Sequence, residues 1–196
     1  MPKPNYQYQI CVSGGAAGSS IKHGRELADQ VGKEIARRGH MLLTGATHGL
    51  SYIAAKAAMT GGGRSVGISP AATKLEHLRV YKLPVDAFDT ILYTGMDYVG
   101  RDLFLVQSCD AVISIGGRIG TLHEFTSAVE ARIPVGVLLG AGGTSDLVPE
   151  ILKVAHKRES KAIFFAKDAI EIVDKICSLL KKLYEEGEKI NSPVEP

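Results

Sequence analysis

The sequence contains no tryptophan and no apolar run that approaches the roughly 20 residues needed to span a bilayer. Its formal net charge of +2 is too small to indicate a nucleic-acid or membrane-surface partner. The opening residues, MPKPNYQYQ, are polar and lack the apolar core of a signal peptide. We therefore expect a cytoplasmic protein that binds neither nucleic acid nor membranes.

Cysteine is also scarce, which limits the chemistry that the chain offers. Cys11, Cys109 and Cys177 are far apart in the sequence and lie among apolar neighbours, which indicates buried free thiols in a reducing compartment. No cysteine or histidine cluster has the spacing of metal ligands, so we expect no metal site. A catalytic cysteine is disfavoured for the same reason.

What the chain does contain is typical of a globular domain. Hydrophobic residues make up 45% of its 196 residues and charged residues 22%. No linker, repeat or composition break divides the chain. We therefore predict a single domain over residues 1–196, with a polar tail from about residue 185.

Short apolar runs alternate with amphipathic segments along the chain. The runs predict strands at residues 8–13, 41–44, 64–68, 80–83, 90–93, 110–115, 135–139 and 162–166. The other segments predict a loop or short helical turn at 71–78 and helices at 20–38, 50–60, 98–108, 121–131, 145–157 and 169–183. Because the strands are apolar without a period of two, both faces of the sheet should be covered. This predicts an α/β fold with a doubly wound, mostly parallel, Rossmann-like sheet and helices on both faces.

Four glycine-rich turns follow strands of this predicted sheet, at residues 13–18, 45–49, 116–120 and 140–143. Ligands of such sheets bind beyond the carboxyl ends of the strands, where glycine lets backbone N–H groups approach a phosphate. Tight strand-to-helix turns also need glycine, so one turn alone does not separate binding from structure. All four together favour a phosphate or nucleotide site that includes Gly14, Gly15 and Gly45.

The stretch DAVISIGGRIGTLHE, residues 110–124, carries the most specific signal. An apolar strand leads into a glycine turn, and the Thr–Glu pair behind it has the spacing of a capping box at a helix N-terminus. Free backbone N–H groups and the helix dipole at such an end attract anions. The predicted anion contacts are Gly116, Gly117, Arg118, Gly120 and Thr121. Two alternatives stay open: Arg118 as a solvent-facing loop residue, and Glu124 as a capping residue only.

Several common classes of nucleotide-binding protein do not fit. The first turn, SGGAAGSS, departs from G-x-G-x-x-G, and the second strand ends in LLTGATHG without an acid for a ribose. These features disfavour an NAD-dependent dehydrogenase. No Walker loop G-x-x-x-x-G-K-[ST] occurs, which disfavours an ATPase or kinase. No lysine lies in or directly beside the glycine turns, so a pyridoxal-phosphate decarboxylase is disfavoured too.

The run GGRIGTLHE is similar to the P-G-G-x-G-T-x-x-E motif of the LONELY GUY (LOG) family, which was long mislabelled as lysine decarboxylases. Three further runs resemble that family: ICVSGGAAGSS, LLTGATHGLSYIAAKAAMTGGGRSVGISP and GMDYVGRDLFLVQSCDA. The last of them contains Arg101 at the family spacing before Asp110. The resemblance covers most of residues 8–140 and implies a nucleotide-binding, Rossmann-like fold.

The resemblance also implies an activity. LOG enzymes hydrolyse the N-glycosidic bond of a nucleoside 5′-monophosphate and release the base and ribose 5-phosphate, with no cofactor. Carried over to the matching positions, Arg101 and Glu124 are the catalytic pair, and Gly117, Gly120 and Thr121 hold the phosphate. Family members are usually dimers, so the resemblance implies a homodimer or a higher homo-oligomer.

The same motifs depart from the family pattern in several places. Ile115 replaces the proline, Arg118 and Ile119 stand where the motif has one residue, and Asp102 replaces the lysine after the catalytic arginine. These departures resemble a divergent branch of LOG-related and molybdenum-cofactor carrier-like proteins, which bind a nucleotide or a phosphorylated pterin and need not hydrolyse it. Two functions therefore stay open: a phosphoribohydrolase, and a binding or carrier protein for a nucleotide or a phosphorylated cofactor such as molybdenum cofactor.

Overall fold

The computed structural model describes residues 7–155 and 161–185, in which seven strands alternate with seven helices. The strands are β1 (Gln9–Gly14), β2 (Met41–Thr44), β3 (Arg64–Ser69), β4 (Thr90–Tyr93), β5 (Ala111–Ile115), β6 (Val135–Leu138) and β7 (Ile163–Ala166). The helices are α1 (Ser20–Arg37), α2 (Leu50–Thr60), α3 (Lys74–Arg79), α4 (Asp97–Gln107), α5 (Ile119–Glu130), α6 (Thr144–Val154) and α7 (Ala169–Glu185). This alternation confirms the predicted α/β class.

The strands form one sheet in the order β4-β3-β2-β1-β5-β6-β7, and every neighbouring pair is parallel. From β1 the chain builds outwards to β4, and it then returns to add β5 on the other side of β1. The strand order therefore reverses between β1 and β5, where a doubly wound sheet opens a crevice at its carboxyl edge. The register places Ser13 beside Ser114 and Gly14 beside Ile115 at this point. The predicted Rossmann-like fold is confirmed.

The sheet separates two hydrophobic cores, which explains why its strands are apolar along their length. Successive residues of a strand point to opposite faces. Ile10 and Val12 of β1 pack with α1, α2 and α7, whereas Cys11 packs with α4, α5 and α6. The helix residues in these cores include Val31, Ile35, Leu50 and Ile172 on the first face and Leu105, Phe125 and Val148 on the second.

The predicted strand at residues 80–83 is wrong. Helix α3 forms inside the predicted turn at 71–78, and Val80 is its C-terminal cap residue. The chain then stays folded back, because the Leu83 N–H donates to the His77 carbonyl at 3.0 Å. Lys82 has a left-handed φ of 54°, which is incompatible with extended strand backbone.

Some predictions extend beyond the described residues. The predicted helix at 145–157 corresponds to α6, and its last residues lie outside the described ranges, as does the polar tail after residue 185. The extent of the domain over residues 1–196 stays a prediction. Within the described ranges, no helix is both long enough and apolar enough to cross a membrane.

Candidate functional site

A cleft of about 210 Å³ opens at the carboxyl edge of the sheet, where the strand order reverses. Three of the predicted glycine turns and helices α4 and α5 contribute its lining residues, which are Gly14, Ala16, Thr47, Tyr98, Arg101, Asp102, Arg118, Gly120, Thr121 and Glu124. The structure therefore brings Arg101 of α4 and Glu124 of α5 into one cleft. Gly14, Arg118, Gly120 and Thr121 of the predicted binding set lie there with them.

The turn between β5 and α5 depends on two glycines. Gly116 and Gly117 have left-handed φ values of 59° and 88°. A Cβ on Gly117 would lie 2.1 Å from a side-chain oxygen of α5, so only glycine fits there. The start of α6 holds the carbonyls of this turn, since the Thr144 N–H donates to Gly117 at 3.0 Å and the Ser145 N–H to Gly116 at 3.1 Å. The predicted glycine turn at 140–143 thus leads into the helix that supports the cleft turn.

The N-terminus of α5 lies at the cleft without a side-chain cap from its own N-cap residue, Arg118. The helix begins at Ile119, so Thr121 lies within its first turn and the predicted capping box is wrong. Glu124 instead accepts a hydrogen bond from the Ser13 hydroxyl of β1. The first N–H groups of a helix have no partner within the helix, and they carry the positive end of its dipole. This helix end therefore has the properties of an anion site.

Arg101 is 3% exposed, and its guanidinium joins the ends of two strands to α4. Its Nη1 donates to the Ile68 carbonyl at 2.8 Å and to the Gly45 carbonyl, and its Nε donates to the Asp102 carboxylate at 3.1 Å. A Cβ on Gly45 would lie 2.3 Å from Nη1, so the glycine makes room for the arginine. Much of the hydrogen-bonding capacity of Arg101 is therefore directed at the protein itself.

Gly15 does not line the cleft, and its role is structural, like that of Gly45. Its N–H donates to the Ile115 carbonyl at 3.3 Å, and its carbonyl accepts from the Leu50 N–H at 2.9 Å. These bonds join the first turn to the end of β5 and to the start of α2. Gly15 thus fixes the position of the neighbouring Gly14, which does line the cleft.

Two buried carboxyl groups, Asp102 and Glu124, lie in the cleft wall. Asp102 accepts from Arg101 through one oxygen, and its other oxygen lies 3.0 Å from Nδ1 of His123. Burial and then the negative charge of Asp102 raise the pKa of Glu124 from 4.5 to about 7, against the opposing effects of Arg101 and the Ser13 hydroxyl. Glu124 is therefore able to exchange a proton near neutral pH.

Ser13 and Asp102 act directly on Glu124, and His123 contacts Asp102, but all three are absent from the predicted site. Ser13 had a signal in the sequence, because a serine interrupts the apolar run of β1. Ser114 interrupts β5 at the register-matched position, and its buried hydroxyl has no hydrogen-bond partner among the described residues. No sequence signal links Asp102 to His123, since their contact depends on the packing of α4 against α5.

The three cysteines are buried free thiols, as predicted. Cys11 contacts Cys109 in the core under the cleft, and this contact, followed by burial, raises the pKa of Cys11. A thiol with a raised pKa stays protonated and is a poor nucleophile. Among the residues that the structure describes, no group of three or more His, Cys, Asp or Glu side chains is placed to hold a metal ion.

The parallel sheet and the cleft at its switch point define a Rossmann-like α/β protein with its candidate site at the N-terminus of α5. Residues 7–173 match the SLOG cluster4 family, and the chain belongs to that family. The SLOG cluster4 family is LOG-like, so the resemblance to LONELY GUY proteins is confirmed.

Several relatives extend over most of the chain. An uncharacterized protein of Archaeoglobus fulgidus is 35% identical over 122 residues, which is 62% of this chain and 74% of that protein. The structure of the molybdenum cofactor binding protein of Rippkaea orientalis is 26% identical with a TM-score of 0.71, covering 89% of this chain and 98% of that one. The molybdenum cofactor (Moco) carrier protein of Chlamydomonas reinhardtii is 26% identical with a TM-score of 0.74, covering 91% of this chain and 100% of that one.

Proposed function

We propose that this protein binds a nucleotide or a phosphorylated cofactor such as Moco in the cleft and carries it without hydrolysing it. The observation that carries this proposal is the N-terminus of α5, which meets the cleft beside the left-handed Gly116–Gly117 turn. The likeness to a Moco binding protein and a Moco carrier protein supports the same function.

The cleft has the features that a phosphate group requires. Gly120 and Thr121 belong to the first turn of α5, where backbone N–H groups have no acceptor within the helix. Arg118 is exposed at the rim and adds a positive charge next to these donors. A phosphate at this end of the helix would gain hydrogen bonds and a favourable interaction with the helix dipole.

The hydrogen bonds of Arg101 favour binding over hydrolysis. An arginine that assists departure of a base needs free donors for the substrate. Two carbonyls and Asp102 already accept from the Nη1 and Nε groups of Arg101, so at most its Nη2 group is left for a substrate. Asp102 also occupies the position at which the LOG motif has a lysine, and it gives this cleft a carboxylate beside Arg101.

A second candidate function is hydrolysis of the N-glycosidic bond of a nucleoside 5′-monophosphate. It is favoured by Glu124, a buried carboxyl whose pKa is raised to about 7. The ionised carboxylate could stabilise a cationic ribosyl centre or accept a proton from the attacking water. In this reading Arg101 and Glu124 are the catalytic pair.

We also propose a homodimer or higher homo-oligomer in the cytoplasm. Val99, Leu103 and Phe104 of α4 are large apolar residues that are exposed outside the cleft lining. Such an apolar surface is typical of a protein contact. The free thiols fit a reducing compartment. Sedimentation at micromolar concentration would detect the oligomer, and a purely monomeric protein would contradict it.

Binding at α5 can be tested with a charge introduced at Gly120. This residue is exposed in the first turn of α5, and a Cβ on it would meet no atom within 4 Å. A Gly120→Asp variant should fold, since an acidic residue suits a helix N-terminus, and its carboxylate should repel a phosphate. We expect calorimetry to show at least about a tenfold loss of affinity for AMP, GMP or inorganic phosphate, equivalent to about 1.4 kcal/mol.

The matched control is Gly120→Asn, which has nearly the same size without the charge and should retain most of the affinity. If the wild type and both variants bind the phosphate ligands with equal affinity, no phosphate lies at this helix end. Absence of binding to all the ligands would contradict the proposed function. Release of free base from AMP or GMP by the wild type, lost in Glu124→Gln, would replace the carrier function with hydrolysis.

A further inference from the structure

Tyr98 places a half-exposed aromatic ring at a cleft whose other lining groups are mostly polar. The residue lies in the first turn of α4 and is 46% exposed. Neither the anion site at α5 nor the carboxyl groups of Asp102 and Glu124 use this ring. An exposed aromatic side chain in a ligand cleft offers a flat apolar surface that water solvates poorly.

Contacts with two neighbours hold the Tyr98 ring in place. The guanidinium carbon of Arg101 lies over the ring, 5.8 Å from its centroid. The ring of Tyr81 packs against it edge to face, with centroids 5.6 Å apart and an interplanar angle of 75°. The Tyr81 hydroxyl is itself anchored, since it donates to the Asp97 carboxylate. Ordering this aromatic surface before a ligand arrives reduces the entropy lost on binding.

The size of the cleft indicates where the parts of a ligand would lie. Its volume of about 210 Å³ is below the roughly 300–1,000 Å³ of sites that enclose a whole drug-sized molecule. A phosphate at the N-terminus of α5 and the sugar or chain next to it would fill much of this space. The remainder of the ligand would then extend towards Tyr98, which lines the cleft and is 46% exposed.

We propose that Tyr98 is the surface on which a planar nitrogen heterocycle of the phosphorylated ligand stacks. This inference rests on the proposed function and adds a second contact to the phosphate contact at α5, namely a contact between Tyr98 and the nucleobase or pterin ring of the ligand. Stacking accepts any flat ring, because every base has a π face. Tyr98 therefore selects for the presence of a heterocycle more than for its identity.

The test compares ligands that share a phosphate but differ in the heterocycle. Calorimetry would measure the affinities of GMP, AMP and ribose 5-phosphate for the wild type and for Tyr98→Leu, Tyr98→Phe and Tyr184→Leu variants. Tyr184 is the control, because it is also 46% exposed but contacts Asp110, which precedes β5 at the opposite edge of the sheet.

We expect GMP and AMP to bind the wild type more tightly than ribose 5-phosphate. The Tyr98→Leu variant should lose about 5- to 150-fold in affinity for the nucleotides, the range for one stacked base, and keep its affinity for ribose 5-phosphate. The Tyr98→Phe variant should retain most of the nucleotide affinity, since the ring is preserved. The Tyr184→Leu variant should bind all three ligands like the wild type.

Three outcomes would overturn the inference. If ribose 5-phosphate binds the wild type as tightly as GMP, the heterocycle contributes nothing, although phosphate binding at the cleft stands. If Tyr98→Leu weakens ribose 5-phosphate as much as GMP, Tyr98 shapes the cleft and does not stack on a base. If none of the three ligands binds the wild type, the proposed function fails together with the inference.

Discussion

Glu34 of α1 and Glu124 of α5 are both buried, at 6% and 8% exposure, and each lies near arginine. Their pKa values are nevertheless shifted from the ordinary 4.5 in opposite directions. The pKa of Glu34 is lowered to about 2, whereas that of Glu124 is raised to about 7. The comparison shows that neither the burial of a carboxylate nor the presence of an arginine decides its charge by itself.

Glu34 is ionised because Arg37, the last residue of α1, and Arg38, its C-cap residue, donate to it directly. Arg37 donates from Nε and Nη2 at 2.7 Å, and Arg38 donates from Nε at 2.7 Å. The hydrogen bonds from Arg37 are the largest cause of the lowered pKa and outweigh the opposing effect of burial. The Arg37 side chain is 67% exposed, so this cluster borders the solvent.

Glu124 has no arginine donor among the described residues, although Arg101 lies close by. Arg101 donates to Asp102 and to the carbonyls of Gly45 and Ile68, whereas Glu124 accepts from the neutral Ser13 hydroxyl. Burial is then the largest cause of its raised pKa, and the charge of Asp102 adds to it. The hydrogen bonds of an arginine, more than its proximity, therefore determine which carboxylate it stabilises.

The largest difference in stability should be between two variants, each of which lacks the arginine near one of the glutamates. We expect Arg101→Met to lose about 3–5 kcal/mol in the free energy of unfolding, because two buried carbonyls and Asp102 would lose their donor. Arg37→Met should change stability little, since Arg37 is mostly exposed and Arg38 still donates to Glu34. Urea unfolding at pH 7, followed by circular dichroism, would measure both. Similar stabilities of the two variants would contradict the structural role of Arg101.

Glu124→Gln should alter the pH dependence of stability. The folded protein holds the Glu124 proton up to about pH 7, and the unfolded chain releases it near 4.5. Wild-type stability due to this group is thus fully present below pH 4.5 and lost as the pH rises through 7. The variant does not titrate there, so relative to it the wild type should lose up to about 3 kcal/mol between pH 5 and 8. A difference that stays constant in urea unfolding over this range would show that Glu124 titrates normally.

Glu34→Gln should change the pH dependence of stability less than Glu124→Gln does, and in the opposite direction. The folded pKa of about 2 lies below the ordinary 4.5, so the stabilisation is present above pH 4.5 and is lost as the pH falls towards 2. We expect the variant to be about 1–2 kcal/mol less stable than the wild type at pH 7, because solvent near the exposed arginine weakens the interaction. The deficit should shrink between pH 4.5 and 3 in thermal or urea unfolding. A deficit that grows on acidification would remove the contrast between the two glutamates.

Much of the fold and part of the site were predictable from local patterns. Apolar runs and glycine turns place the strands, the helices and the carboxyl-edge turns, and the resemblance to the LOG family pairs Arg101 with Glu124, which line one cleft. The pattern Thr121–Glu124 wrongly predicted a capping box, because α5 begins at Ile119, two residues before Thr121, and Glu124 accepts instead from Ser13, 111 positions away. The apolar run at 80–83 was likewise misread, since hydrogen bonds to α3 hold that segment in a folded-back conformation.

Local patterns were enough to establish the order of the elements, the parallel sheet and the resemblance to a LOG-like family, because these depend on periodicity, turn residues and motif residues. Three contacts, in contrast, follow from the folded chain alone: Arg101 donates to backbone carbonyls, Asp102 meets His123, and Glu124 is bonded to Ser13. Local patterns do not reach these contacts, because a carboxylate takes its charge from every donor and charge around it. Around Glu124 those groups come from separate elements that only the folded chain brings together.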